Sequence, residues 1–391
     1  MTHVTSEFKN HCVQFLLGAH LQAQQPYGIQ KLIQNKLQWN SDIYVEQSDR
    51  TFTVVSWNCA GKQPPRTYEP VEELEGEYAT GAECDIRPVL KGLKDAEAPG
   101  AGEPTDDDFY IIGLQEFVNL NTKSAIKFKD TKRLKLWNDM LLANLNKNCK
   151  EGVKYVQVAE QVMVGTCILM YAKEAHLPKI RNVSTTNNKT GFGGHVGNKG
   201  SVSINFDFEE SSFCFINCHL HHGQKKTARR NEDFRNNYHD TMNKFSHLVS
   251  HEKPFHDYKC FFGDLNYRID EDNQVIRQKV AAKEYEPLIE KDQLLNQRKS
   301  NKFLQNFEEG KLSFDPTYRY DKDTDNYDSS KKNRAPAWCD RILFSRDASC
   351  KKYLYQDMHS GDDAKAAQPE FYSRSENRFS DHRPVTAQYK V

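Results

Sequence analysis

Short runs suited to the inside of a β-sheet punctuate this sequence, and nearly all of them end in a knot of polar residues. They are "TFTVVSWN" (51–58), "DFYIIGLQEF" (108–117), "GSVSINFDF" (200–208), "SFCFINCHL" (212–220), "KCFFGDLN" (259–266), "WCDRILFS" (338–345) and "RPVTAQYKV" (383–391). With the pair inside "YVQVAEQVMVGTCILMYA", the strands are too many for an all-helical chain, and several alternate as half-buried antiparallel strands do. Helical spacing lies between them, around 124–148, 229–250 and 271–308. The order predicts an α/β chain with two sheets packed face to face and helices outside. Residues 62–107 are acidic and rich in Gly and Pro, which reads as a surface insertion rather than core. Residues 1–45 read as an N-terminal segment with an amphipathic helix candidate, and 46–391 as the main domain.

Bulk composition narrows the functional classes. Lys plus Arg equals Asp plus Glu at 54 each, so no global field steers the chain toward a polyanion, and anion binding must be local. The ten cysteines show no CxxC pair and no regular spacing, which fits reduced thiols in a cytoplasmic protein. Apolar stretches such as "CVQFLLGAHL" and "VMVGTCILMYA" are too short to span a bilayer, and neither a secretory leader nor a lipidation cysteine stands out. Any membrane contact is therefore expected to be peripheral. No motif for an obligate protein partner is evident, and a monomer is the default.

The strand ends carry the chemistry. "GLQEF" leaves Glu116 just past a strand, where a carboxylate is costly unless paired or holding a cation. "SWN" leaves Asn58, "NCHL" leaves His219, and "GDLN" leaves Asp264 and Asn266. Asp340 follows in "WCDRIL", then Asp381 and His382 in "SDH". Hard oxygen ligands plus two imidazoles suit Mg²⁺ better than zinc, for no two His or Cys share ligand spacing on one element. Taken singly, each cluster has a plainer reading: a solvated loop Glu, an Asx turn in "GDLN", a polar loop in "HLHH", a cap or turn in "SDH". Together and in this order they resist separate plain explanations.

"WNCAG", "GLQEF", "GNKGSV", "NCHL", "FFGDLNYRI", "PAWCDRIL" and "FSDHRPV" resemble the ordered motifs of the inositol polyphosphate 5-phosphatases. These lie within the deoxyribonuclease I-like superfamily of Mg²⁺-dependent endonucleases, exonucleases and phosphatases. The resemblance runs from about residue 51 onward; "GDLNYR" and "PAWCDRIL" are its specific parts. It implies a four-layer α/β/β/α sandwich with two mixed, mainly antiparallel sheets. It also implies a Mg²⁺-dependent phosphatase removing the 5-phosphate of inositol polyphosphates or phosphoinositides such as phosphatidylinositol 4,5-bisphosphate. Glu116, Asn58 and Asp381 would stand on the metal side. Asp264 would orient and deprotonate water, Asn266 would donate to a phosphoryl oxygen, and His219 would touch the scissile phosphate. His382, held by Asp340, would stay protonated and meet charge in the transition state. Tyr267 and Arg268 are expected at the pocket rim, Lys332 and Arg334 on the 4-phosphate, and Lys199 on the scissile phosphate or its neighbour.

Two departures stand out. Position 60 is Ala in "WNCAG", where the resemblance leads one to expect Asn, or Asp in the nucleases. The loop "KTGFGGHVGNKG" has only Phe192 and Val196 as large apolar residues, less than lipid-acting relatives carry, and no role suggests itself for His195. Two alternatives share part of the motif set: a nuclease of the superfamily and a catalytically weak phosphoinositide-binding module. A nuclease needs a long basic track, yet "HHGQKKTARR" is the sole dense basic run, so no nucleic-acid partner is expected. The binding module is disfavoured by retention of the proton-transfer and metal residues except at position 60.

Overall fold

In this computed structural model the described residues are 2–4, 45–47, 49–62, 64, 89–90, 106–118, 131–191, 196–246, 256–301, 304–346 and 368–391. Strands β1 (Thr2–Val4) and β2 (Val45–Gln47) pair antiparallel. The main body then adds β3 (Thr51–Asn58), β4 (Phe109–Gln115), β5 (Tyr155–Met163), β6 (Thr166–Lys173), β7 (Ile180–Gly191), β8 (Val196–Phe208) and β9 (Ser211–His219). After β10 (Tyr258–Asp264) come β11 (Glu308–Glu309), β12 (Asp340–Arg346), β13 (Phe371–Arg374) and β14 (Val385–Lys390). One sheet has the order β11-β12-β10-β9-β8-β7, the other β13-β14-β3-β4-β6-β5. In each sheet one central pair is parallel, β9 with β10 and β3 with β4, and the other pairs are antiparallel.

Period-two alternation sorts side chains to two faces, but here both faces are covered. Phe52, Val54, Phe109, Ile111, Phe213, Phe215 and Phe262 meet between the sheets. Val55, Trp57, Tyr110, Ile112 and Leu114 point the other way and pack on Trp137, Leu141 and Leu145 of helix α1 (Thr131–Lys147). Cys214, Ile216, Cys218 and Phe261 face outward against Phe234 and Phe245 of helix α2 (Thr227–Phe245). The expected four layers are therefore present, and the central strands are buried on both faces rather than half-buried. Such strands read as near-continuous apolar runs.

Three expectations change. Residues 62–107 are not wholly surface: Val89 and Leu90 are 2% and 1% exposed and join the core beside α1, and Thr386 Oγ1 donates to Val89 O at 2.5 Å. Polar β7, "IRNVSTTNNKTG", is a sheet edge that composition hides, since an edge strand needs little apolar surface. The 271–308 stretch is not one helix but three short ones, Asn273–Ala281, Glu286–Ile289 and Gln293–Ser300. The helix candidate in 1–45 and the side chains of Phe192, His195 and Val196 lie outside the described residues.

The two sheets are tied by polar contacts just beneath the strand ends. Gln115 Nε2 donates to Asn217 Oδ1 at 2.7 Å, and Asn217 Nδ2 donates to Cys167 O at 2.8 Å and Leu114 O at 3.3 Å. Asn217 can cross to the other sheet because residue 113 is Gly: a Cβ there would lie 2.6 Å from Asn217 Cγ and 2.4 Å from Phe262. Asn217→Ala strands several buried polar groups at once, so it is expected to cost about 2–4 kcal/mol in urea unfolding. A loss below about 0.5 kcal/mol would mean that water replaces the amide without cost.

Candidate active site

The carboxyl ends of the two parallel pairs converge. In β9–β10, Asp264 stands in register with His219, and across the antiparallel neighbours with Asp340. In β3–β4, Asn58 stands in register with Gln115, with Glu116 one residue beyond. The chain past β3 is pinned to the end of β4 by Cys59 N–H to Gln115 O and Gly61 N–H to Glu116 O, both 2.7 Å. Ala60, Glu116 and Asn266 all have positive φ, at 51°, 48° and 57°, a rare conformation for non-glycine residues. Such strain gathers where a structure over-determines a functional turn. Gly263, at φ 129°, lets β10 approach β9 closely, for a Cβ there would sit 2.1 Å from Cys218 O.

Asp264 is the hub, 2% exposed. Its Oδ1 accepts from the Asn266 N–H at 3.1 Å, so "GDLN" does form an Asx turn, and that turn sits at the cleft. Its Oδ2 accepts from Asn58 Nδ2 at 3.0 Å and lies 3.3 Å from His219 Nε2. Burial pushes this carboxyl up, but the His219 contact together with the His382 and Lys199 charges outweighs it and holds Asp264 well below the usual carboxylate range. An anion held this firmly is a weak resting base. Its first capacity is to orient a hydrogen-bond donor.

His382 faces it. Its Nδ1 is 2.8 Å from Asp340 Oδ2, which also accepts from Thr317 Oγ1 at 2.6 Å. Burial lowers the imidazole pKa, and the Asp340, Asp264 and Asp381 charges more than reverse this, to about 9. The ring is thus an imidazolium at neutral pH, with Nδ1 committed to Asp340 and Nε2–H left for the cleft. Asp264, Asp340 and His382 offer ligand atoms within 4.8 Å of one another, a spacing that could suit a metal. The Asp340–His382 hydrogen bond makes a proton-holding pair the better reading. Glu116 and Asn58 fit a metal better. Glu116 Oε1 is 3.7 Å from His219 Nε2, its side chain is 36% exposed toward the cleft, and Asn58 adds an amide oxygen that accepts from Ala60 N–H at 3.0 Å. This is an oxygen-only set of the kind hard divalent cations take. Ala60 itself adds no oxygen.

A cleft of about 410 Å³ opens over these groups and is walled by cations. Lys199 is 8% exposed and sits against His219 Nε2; burial, opposed by Asp264 and Glu116, lowers its pKa to about 8. One ring nitrogen cannot donate to Asp264 and accept from Lys199 together, so the ammonium can be released to an anion. Arg268 donates from Nε to Asn266 O at 3.1 Å and from a terminal nitrogen to Asn266 Oδ1 at 2.6 Å, while its guanidinium lies 4.3 Å from the Tyr318 ring centroid. Arg334 reaches the same cleft, braced at 3.1 Å by Asp328.

The cleft corrects two expected positions and qualifies two more. Tyr267 is not at the rim. Arg268 turns to the cleft, whereas Tyr267 is fully buried beneath Arg230 and donates to Asn231 Oδ1 at 2.7 Å. Lys332 stands exposed outside the cleft wall, because Asp328 closes the turn by accepting from Ser330 N and Arg334 N and so aims Arg334 inward instead. Asp381 lines the same cleft as Glu116, with its carboxylate paired to Arg319 at 2.7 Å. Asn266 also lines it, with its amide donating to Leu220 O at 3.2 Å.

Sequence reasoning missed Thr317, Tyr318, Arg319 and His222. The first three lie in "PTYRY", an aromatic–cation–aromatic run with no strand end to flag it. Bridges from Tyr318 to Ala337 and to His382 carry this run into the cleft.

The pattern has relatives. A sequence model of the endonuclease/exonuclease/phosphatase family 2 matches residues 55–388. Human synaptojanin-1 is 35% identical over 345 residues, 85% of this chain and 21% of that protein. Inositol-1,4,5-trisphosphate 5-phosphatase 1 of Schizosaccharomyces pombe is 36% identical over 284 residues, 73% of this chain and 24% of that protein. The chain thus spans about a fifth to a quarter of these curated relatives. Its fold matches the crystal structure of the inositol polyphosphate 5-phosphatase domain of SPsynaptojanin, solved with inositol (1,4)-bisphosphate and calcium ion. That match has a TM-score of 0.71 and 30% identity, covering 92% of this chain and 90% of that one. The chain belongs to the inositol polyphosphate 5-phosphatase family, within the endonuclease/exonuclease/phosphatase superfamily.

Proposed function

We propose that the chain, through a catalytic domain spanning 46–391, is a Mg²⁺-dependent phosphatase that removes the 5-phosphate of inositol polyphosphates and phosphoinositides. One observation carries the reading: a buried carboxylate and a carboxylate-held imidazolium share a cleft with Lys199, Arg268, Arg319 and Arg334. A monoester dianion repels an attacking water, so the site must cancel charge and fix the line of attack. Asp264 orients the water and takes its proton as charge builds. The water oxygen bonds to phosphorus as the bond to the ring oxygen breaks, and the departing ring oxygen takes up a proton from solvent while Asp264 returns the water's proton to solvent, giving inorganic phosphate and the inositol alcohol. His382 and His219 donate to the phosphoryl oxygens, Lys199 adds its charge there, and Asn266 fixes Arg268. Glu116 and Asn58 would hold Mg²⁺, which supplies Lewis-acid charge when bound. The calcium and the inositol bisphosphate of the related domain support the ion class and the ligand class.

Arg319, Arg334 and Arg268 grip the phosphates that are not cleaved, Arg319 by exchanging Asp381 for the ligand. Lys332 and Tyr267 have no part in this grip. No described helix is long and apolar enough to cross a membrane. The chain acts in the cytoplasm and reaches lipid substrate by peripheral contact.

Phosphate release is expected from inositol 1,4,5-trisphosphate and from vesicles holding phosphatidylinositol 4,5-bisphosphate, with Mg²⁺ and not with chelator. Asp264→Asn should lower kcat by about 10²–10⁴-fold with little change in KM. Release that persists in chelator would overturn the metal assignment.

The pH dependence follows from two bases, each charged below its pKa. Below about 8 both Lys199 and His382 are cations; the Lys199 charge is lost through about 8 and the His382 charge through about 9. In chelator, inorganic phosphate binding measured by calorimetry should therefore fall at least about tenfold from pH 7.5 to 9.5. Asp340→Asn removes the charge that raises His382, so its affinity should begin to fall closer to neutral pH. A profile unchanged from wild type would exclude His382 as the titrating group.

A further inference from the structure

The loop leaving β9 carries two adjacent histidines in "HLHHG", and the fold uses them differently. His221 Nδ1 is bonded to Asp233 Oδ2 of α2, a buried carboxylate whose other oxygen meets Arg229 Nε at 3.1 Å. His222 lines the cleft and has no hydrogen bond or ion pair among the described residues. It stands at the rim, three residues past His219, the last residue of β9.

The charged and titratable groups facing His222 come from every side of that rim: Lys199 of β8, Arg268 beyond β10, His219 at the end of β9, and His221 beside it. Partial burial comes first, and the Lys199 and Arg268 charges add to it, holding the imidazole below its usual pKa and so neutral at neutral pH. Of the cleft's carboxylates, Asp264 is matched to Asn58 and His219 and Asp381 to Arg319, while Glu116 stands 3.7 Å from His219 Nε2. His222 is thus a polar group with unused hydrogen-bonding capacity in a field of cations. A doubly charged anion cancels that field, and the ring then gains a proton and donates to it. Phosphomonoesters suit this better than phosphodiesters, having three terminal oxygens and up to two charges.

The phosphate being hydrolysed has to sit against Asp264 and His382. His222 shares its side of the cleft with Lys199 and His219 of that site and also with Arg268, which in the reading above grips a phosphate that is not cleaved. Resting on the 5-phosphatase reading above, we propose that His222 is a specificity-determining residue that contacts a phosphomonoester group of the substrate other than the one hydrolysed. It makes affinity for highly phosphorylated substrates rise as pH falls. Catalysis at Asp264 and His382 does not involve it.

The test compares wild type, His222→Ala and His222→Lys at pH 6 and pH 8, with Mg²⁺. The substrates are inositol 1,4,5-trisphosphate and glycerophosphoinositol 4,5-bisphosphate, whose 1-phosphate is a diester as in a lipid headgroup. His222→Ala should raise KM for the trisphosphate about five- to tenfold at pH 6 and less than about twofold at pH 8, with kcat unchanged. His222→Lys should keep KM low at both. An effect confined to the trisphosphate assigns His222 to the 1-phosphate and to free inositol phosphates. An effect on both substrates assigns it to the 4-phosphate, shared with lipids. An equal rise in KM at both pH values would mean lost packing only, and a fall in kcat would mean a part in the chemistry; either overturns the proposal. Wild-type turnover with an unaltered Ala variant sinks this inference alone. Failure of wild type to release phosphate from either substrate removes the 5-phosphatase reading and this inference with it.

Discussion

A fully buried carboxylate must be compensated from close range, and the architecture around Asp264 follows from that need. No single strand can supply the compensation. Asn58 reaches it from the opposite sheet, His219 from the adjacent strand, and His382 from the turn before β14. Packing the sheets and assembling the site are therefore one problem. A slip of one residue in β3 or β10 would send Asn58 or Asp264 to the other face and leave a buried charge alone. The Gln115–Asn217 contact beneath the site guards the same alignment with neutral groups.

Sheet direction explains why the functional residues meet. Each sheet holds one parallel pair at its centre, so two strand ends emerge side by side in each. The antiparallel neighbours begin where those strands finish. Asp340 opens β12 opposite Asp264, and Val385 of β14 pairs with Ser56 of β3, which leaves His382 just short of the strand. Ser380 Oγ then donates to Asn58 O at 2.6 Å and accepts from His382 N–H at 3.2 Å. The acid that holds the imidazole and the imidazole itself thus arrive from different sheets.

Much of this was legible because function and strand ends coincide. Asn58, Glu116, His219, Asp264 and Asp340 each follow or open a run whose apolar character marks the strand, so their convergence could be read from order alone. The failures have physical causes. Tyr267 and Arg268 are neighbours in sequence, but past the end of β10, where Asn266 takes up the left-handed region, the chain buries one under Arg230 and turns the other to the cleft, which no strand periodicity marks. Lys332 and Arg334 are separated by a turn whose shape is set by the distant-looking Asp328. "PTYRY" has no periodicity to mark it, and its place depends on bridges to Ala337 and His382. Val89 and Leu90 sit in a polar stretch whose average composition hides two core residues. The left-handed backbone at Ala60 is invisible to any pattern of hydropathy.

A chain with no net charge can still present a concentrated positive cleft, provided the cations are kept there by something other than permanent carboxylate partners. Arg268 shows how: it is braced by carbonyl oxygens of Asn266 and by the face of Tyr318, contacts that fix its position while leaving its charge uncancelled. Lys199 leans on an imidazole rather than an acid, and its lowered pKa records the cost of that choice. Arg319 and Arg334 take the other course, each paired with a carboxylate, so on the proposed reading a phosphate would have to outcompete Asp381 and Asp328. The two arrangements divide the work. On the proposed reading, unmatched cations deep in the cleft would draw and hold the anion, while matched ones at the wall would admit a ligand only where its charge is dense enough to replace the acid already there.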